Sequence, residues 1–266
     1  MRVELYTISW NEQRMLPYFL EYYTPWVDRF VIFDDASDDG TAQMLAQHPK
    51  VDLRPFPPKG DSFVLTALEL YRHAWKESRG RADWVICTNV DEFVYHPDGM
   101  RAYLRRCSVE GATLIHPRGY AMVGSRFPEP GADLVRTLRR GVPMFGSDKR
   151  QVFDPNALVE IDFGPGRHGC RPTGRVVEPA TVEAALLHYK YVDPRGYLLP
   201  RQRALGARLL EGDRRAGFGS QYRLADEQVL ALYDWLELHA TEVVPEPVPP
   251  AASPARGESA TAGAGR

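Results

Sequence analysis

The chain has 266 residues, a formal net charge of -2 and 44% hydrophobic residues, enough to build a full core in one large domain or two small ones. The near-neutral charge gives no general electrostatic reason to expect a nucleic-acid partner. Cys87, Cys107 and Cys170 are odd in number, widely spaced and without a CxxC pair, which argues against a disulfide framework and a zinc site.

The opening MRVELYTISW reads as a strand and lacks the charged, apolar, small-residue pattern of a signal peptide. No later run approaches the roughly 18 apolar residues of a membrane span. The expectation is a cytoplasmic protein with reduced thiols and no transmembrane segment.

Strands and helices alternate through the first half. Val3 to Ile8 is a strand; Asn11 stands as N-cap of a helix running to about Tyr23, with Met15, Leu16, Phe19 and Leu20 on one side. Arg29 to Phe33 is a second strand ending on Asp34 and Asp35, and ASDDG is a turn whose side chains bond their own backbone. Thr41 to Gln47 is a short helix, and Val51 to Phe56 is a strand stopped by Pro57 and Pro58. Ser62 to about Ser78 is a longer helix with Phe63, Leu65, Leu68, Tyr71 and Trp75 as its apolar positions. Val85 to Thr88 is a fourth strand, running into Asn89, Asp91 and Glu92. Such alternation implies an α/β fold with a mostly parallel sheet covered on both faces.

The second half is less regular. Thr113 to His116, Gln151 to Phe153, Arg175 to Glu178 and Ala185 to Tyr189 are short strand candidates between Gly- and Pro-rich loops such as FGPGRHG. Helices over about Arg195 to Leu210 and Ala225 to Ala240 close the fold. Residues 1–244 are expected to form a single domain, with halves over about 1–97 and about 98–244. Residues 245–266, rich in Pro, Ala and Gly, have almost nothing to bury and read as a disordered tail.

In open α/β sheets ligands bind beyond the carboxyl ends of the strands. Three strands deliver polar groups to that edge: Asn11 and Glu12 after the first, Asp34 and Asp35 after the second, Asn89, Asp91 and Glu92 after the fourth. Extended backbone puts Asn89 and Asp91 on one side and Val90 and Glu92 on the other. Oxygen ligands so spaced suit Mg²⁺ or Mn²⁺ completed by phosphate oxygens. The alternative is that Asp91 and Glu92 cap the next segment or pair with arginines of the second half.

The NE after the first strand, VIFDDASDDGT and WVICTNVDEFV resemble the family 2 glycosyltransferases, in particular the branch sharing a DVDEF-type motif with family 92. The resemblance runs from about Thr7 to Val94, and more loosely to Arg208. It implies a GT-A fold with a nucleotide-binding half over about 1–97 and an acceptor-facing, metal-completing half over about 98–244, a nucleotide-diphosphate sugar donor, a divalent metal, and inverting transfer to a hydroxyl of a saccharide or glycoconjugate. Carried over, Asn11 and Glu12 lie beside the nucleotide, Asp35 meets base or ribose, Asp34 supports it, and Asp91 ligates the metal with Glu92 close by. The family often has Asp where this chain has Asn89, whose amide oxygen can still ligate. His188 in HYKY matches a further metal ligand, against a satisfied boundary histidine, and Lys149 and Arg150 match a basic position facing the diphosphate.

Lys59 and Asp61, flanking Gly60, form a loop able to close over the nucleotide. A base for an acceptor hydroxyl must come from a second-half loop, where His168 leads, Asp148 follows, and Glu129 and Asp133 are further candidates. The arginines at 195, 201, 203, 208, 214 and 215 read as a solvated helical face, with an anionic acceptor or a peripheral membrane contact as alternatives. Against the transferase stands a non-catalytic nucleotide-binding scaffold with a degraded site at Asn89. A nucleotidyltransferase ranks lower, because SWNEQRML replaces the glycine-rich, basic loop expected after its first strand.

Overall fold

A computed structural model describes residues 1–144 and 148–246. The alternation of the first half is realised in strands β1 (Val3–Ser9), β2 (Arg29–Asp34), β3 (Val51–Pro55) and β4 (Trp84–Cys87), parallel throughout in the spatial order β3-β2-β1-β4. Helices α1 (Leu16–Tyr23), α2 (Thr41–Gln47) and α3 (Phe63–His73) connect them, and the 3-10 turn Ala74–Ser78 prolongs the last. Because strand side chains alternate, each strand feeds two cores. Leu5, Phe30, Ile32 and Ile86 pack with Phe19 and Tyr23 of α1 and Leu45 of α2, while Tyr6, Val31, Phe33, Val85 and Cys87 pack with Leu68 and Tyr71 of α3 and with Trp75. Helices therefore cover both faces, and the near-continuous apolar runs of the strands are those of a doubly buried parallel sheet. Each such aliphatic or aromatic side chain contributes about 1.5–3 kcal/mol by leaving water.

The second half holds β5 (Glu92–Tyr95), α4 (Met100–Val109), β6 (Leu114–Ile115), β7 (Arg118–Gly124), α5 (Leu134–Thr137), β8 (Arg140–Pro143) and β9 (Val152–Phe153). It continues with β10 (Leu158–Glu160), β11 (Thr173–Gly174), β12 (Ala185–Val192), α6 (Leu199–Ala207), α7 (Glu211–Arg215), α8 (Asp226–His239) and β13 (Thr241–Glu242). Strand β9 lies antiparallel beside β4 and β6 antiparallel beside β9, which completes a six-stranded sheet. A second, five-stranded sheet has the order β13-β8-β7-β12-β5, with only β7 and β12 parallel.

Several local expectations are corrected. Asn11 does not cap α1: the helix starts five residues later, behind Met15, and Asn11 sits at φ 50° with its amide bonded to Asp38. Arg175 to Glu178 is not a strand; its backbone is engaged singly, with the Val177 carbonyl accepting from the amides of Thr113 and Leu114. Strands β5 and β7 escape the reading, so the regular second sheet does too. The helix expected from Arg195 begins instead as a π-turn, Pro194–Leu198, before α6. The tail reading lies, from residue 247 on, outside the described residues.

Candidate active site

The carboxyl ends of β1 and β4, the N-terminal part of α3, strand β12 and the segment from α6 to Tyr222 enclose a cleft of about 660 Å³. Its floor is set by the chain turning at Val90 and Asp91, where β4 leaves the first sheet and β5 enters the second. That turn breaks the alternation expected for residues 89 to 92. The Asn89 amide donates to Glu92 Oε1 at 3.0 Å, and Asn89 Oδ1 accepts from Arg167 Nη2 at 2.8 Å, so Asn89 faces Glu92 and not Asp91.

Glu92 is fully buried and Lys149 and Arg167 almost so, at 3% and 5% exposure. One carboxylate thus serves two buried cations: Lys149 Nζ bonds Oε1, and Arg167 Nη2 lies 3.3 Å from Oε2. Burial alone would raise the Glu92 pKa, but Lys149 and Arg167 hold it below the usual glutamate range. The Lys149 ammonium is lowered, because burial and the Arg167 charge together outweigh the pull of Glu92. The Arg167 backbone has φ 60°, a strained conformation for a residue with a side chain, and its guanidinium lies 4.2 Å over the Tyr71 ring.

Asp91 turns the other way, toward β12. His188 pairs in register with Glu92, the Tyr189 amide bonds the Asp91 carbonyl at 2.8 Å, and His188 Nε2 lies 3.2 Å from Asp91 Oδ2. Burial would raise the Asp91 pKa, yet His188, Arg201 and Lys149 keep it well below the usual carboxylate range. Ligand atoms of Asp91, Glu92 and His188 lie within 4.8 Å of one another. Glu92 is already engaged on both oxygens, so Asp91 and His188 are the pair open to the cleft. A carboxylate and an imidazole, with the remaining positions left to ligand oxygens and water, fit Mn²⁺ or Mg²⁺.

Other expected residues fall in two groups. Glu12 lines the cleft, with Oε1 bonded to Arg201 and Oε2 buried without a partner, and burial pushes its carboxyl up to about 8 against the pull of Arg201. Asp35 receives Lys59 at 2.5 Å and Arg208 at 2.6 Å, and both cations line the cleft. Asp34 stands behind it, accepting from Ser9 Oγ and from the amide and hydroxyl of Ser37. Lys149 and His168 line the cleft as well.

Asn11, Asp34, Asp35, Asp61 and Asp148 are not among the lining residues; Asp35 acts on the cleft only through the two cations it holds. Asp148 accepts from the Gly119 amide at 2.7 Å; Asp61 pairs with Arg215. Asp133 caps α5 through the Arg136 amide, and Glu129 is exposed outside the cleft.

The basic residues of α6 are not all solvated. Arg201 is half-buried and paired with the buried Glu12, and Arg208 stacks 3.6 Å over Trp10 while holding Asp35. Their spacing of seven, two helical turns, was the available signal. Lys190 also reaches the cleft, two residues after His188 on β12, where strand alternation puts both side chains on one face. Asp213, fully buried, binds Ser62 Oγ and the amides of Phe63 and Val64 at the start of α3. Nothing in the sequence pattern marked that contact across some 150 positions.

No family model matches the chain. Uncharacterized proteins of Mycobacterium bovis and Mycobacterium tuberculosis are each 28% identical to it, across 73% of this chain and 51% of theirs. The chain thus spans about half the length of the curated relatives it matches. Among solved structures, it resembles a Mycobacterium tuberculosis glucosyl-3-phosphoglycerate synthase, in complex with Mn²⁺, UDP-glucose and phosphoglyceric acid. The TM-score is 0.35 at 15% identity, over 63% of this chain and 62% of that one. A 4-diphosphocytidyl-2C-methyl-D-erythritol synthase gives a TM-score of 0.34 at 12% identity, over 59% of this chain and 77% of that one. No helix among the described residues is long and apolar enough to cross a membrane.

Proposed function

We propose that the chain is a glycosyltransferase moving a sugar from a nucleoside-diphosphate donor to an acceptor hydroxyl, with inversion. One observation carries the reading: at the carboxyl edge of a parallel sheet, an ionised Asp91 beside His188 stands among cations that outnumber their carboxylates. Asp35 is shared by Lys59 and Arg208, and Glu92 by Lys149 and Arg167. The surplus positive charge suits a ligand carrying two phosphates, and fixed charges in a water-poor cleft act more strongly than in bulk water.

Asp91 and His188 would hold Mn²⁺ or Mg²⁺, whose chemistry there is to neutralise charge on a departing diphosphate. Lys149 and Arg167 raise the potential at the same place from behind, held in position by Glu92 and Asn89. Trp10 offers a planar surface at the nucleotide end, where Asp35, both of whose oxygens are taken, holds Lys59 and Arg208 in place, with Asn11 and Asp34 bracing the loop that carries Asp35. His168, in the glycine-rich loop over the cleft, is the group we assign to take the acceptor proton.

The test is a thermal-shift panel of nucleoside diphosphates with and without Mn²⁺. At least one diphosphate should raise Tm further with Mn²⁺, and Asp91→Ala should abolish the metal-dependent part. Absence of any shift across the panel would remove the basis for the proposal. The engagement of Asn89 with Arg167 favours, as a second reading, a nucleotide-binding protein without turnover. Incubation with the nucleotide sugar of a diphosphate that binds, plus acceptor, separates the two: an enzyme releases the free diphosphate, a scaffold leaves the donor intact.

A further inference from the structure

We propose that the cleft contains a second anion subsite, built around Lys190, that takes a phosphate or carboxylate of the sugar acceptor. This rests on the reading above, since it assigns the Lys149 and Arg167 side of the cleft to the donor.

Lys190 differs from the other cations lining the cleft. Lys59 and Arg208 have Asp35, Lys149 and Arg167 have Glu92, and Arg201 has Glu12. No hydrogen bond or ion pair among the described residues reaches Lys190; its ammonium lies instead 5.5 Å from the ring centroid of Tyr191 and 5.1 Å from that of Tyr222. Such cation–π contacts compensate an ammonium only in part. An ammonium drawn partly out of water without an acceptor loses more than they return, which a ligand anion restores.

Its location separates it from the donor side. Lys149 and Arg167 gather on Glu92 and Tyr71, at the α3 wall. Tyr222 packs on α6, so closely that a Cβ on Gly206 would come within 2.4 Å of the Tyr222 carbonyl oxygen. Lys190 therefore stands at the α6 wall. Asp91 immediately precedes Glu92 in the chain, and its carboxylate lies 3.2 Å from His188, two residues before Lys190 on β12, so the Asp91–His188 pair lies between the two groups. A diphosphate on that pair and the α3 wall leaves Lys190 facing whatever enters from the other side. A compact ammonium with rotatable donors accepts phosphate or carboxylate oxygens alike.

The test uses Lys190→Met, which keeps side-chain length and removes the charge, and Lys190→Arg, which keeps the charge. Calorimetry first measures UDP and GDP with Mn²⁺, then titrates inorganic phosphate and malonate into protein saturated with the diphosphate that binds. We expect loaded wild-type protein to bind one of the two small anions, Lys190→Met to weaken that binding at least tenfold, and Lys190→Arg to retain it. Diphosphate affinity and Tm should stay within twofold and within a degree or so, respectively. A tenfold loss of diphosphate affinity in Lys190→Met would assign the lysine to the donor and overturn the subsite. So would small-anion binding that is absent from the loaded wild type, or that Lys190→Met leaves unchanged. If neither diphosphate binds with or without Mn²⁺, the glycosyltransferase reading itself fails, and the subsite with it.

Discussion

Replacing Glu92 with Gln should be among the most destabilising conservative changes in this protein. The side chain keeps its volume, but Lys149 and Arg167, at 3% and 5% exposure, lose the carboxylate they share. Removing one partner of a buried ion pair costs about 3–5 kcal/mol, a large part of the 5–15 kcal/mol by which folded domains are typically stable. For a domain of this size that is a fall in Tm of about 6–20 °C, measurable by calorimetry at neutral pH. The pH dependence adds a second signature. Glu92 is held below its ordinary value in the folded state, so in the wild type its stabilising contribution disappears as pH falls below the usual glutamate range. Lys149 is lowered, so the folded protein releases that proton before the unfolded chain does, and stability rises with pH just below the ordinary lysine value. Without Glu92 that rise should steepen and begin at lower pH. A Glu92→Gln protein within about 1 kcal/mol of wild type, with an unchanged profile between pH 7 and 10, would refute the shared-carboxylate argument.

Two further perturbations probe the walls of the cleft. Asp213→Ala removes three hydrogen bonds from the first turn of α3, and should cost about 2 kcal/mol and speed hydrogen exchange at the Phe63 and Val64 amides. Glu12, raised to about 8 by burial, keeps its proton in the folded state while the unfolded chain ionises near pH 4.5, so wild-type stability should fall as pH rises from about 4.5 to about 8. Denaturant titrations of Glu12→Gln should lack that slope.

The first sheet was legible because a parallel strand buried on both faces announces itself as an unbroken apolar run between helices. Arg29 to Phe33 and Val85 to Cys87 are such runs. The second sheet was harder to see, since Arg118–Gly124 begins Arg-Gly-Tyr and Glu92–Tyr95 follows its acidic motif without a break. At the site, the strand-end rule brought Glu12, Asp35 and Asp91 to one edge, and His188 was singled out by a resemblance alone. What pattern did not reveal was pairing. Whether Asn89 looked to Asp91 or Glu92 depended on a turn at Val90, and the solvated face expected of α6 depended on what it packs against. Arg201 and Arg208 found buried carboxylates that lie nearly two hundred positions earlier in the chain.

The Asp213 contact ties two distant parts of the molecule into one mechanical unit. The segment carrying Asp213 also supplies Leu209, Leu210 and Phe218 to the cleft, while its carboxylate terminates the helix that forms the facing wall. Swinging that segment outward therefore frays the first turn of the helix opposite. Release of a ligand held between them would then be a small unfolding event, and its residence time should respond to substitutions that loosen the first turn of α3.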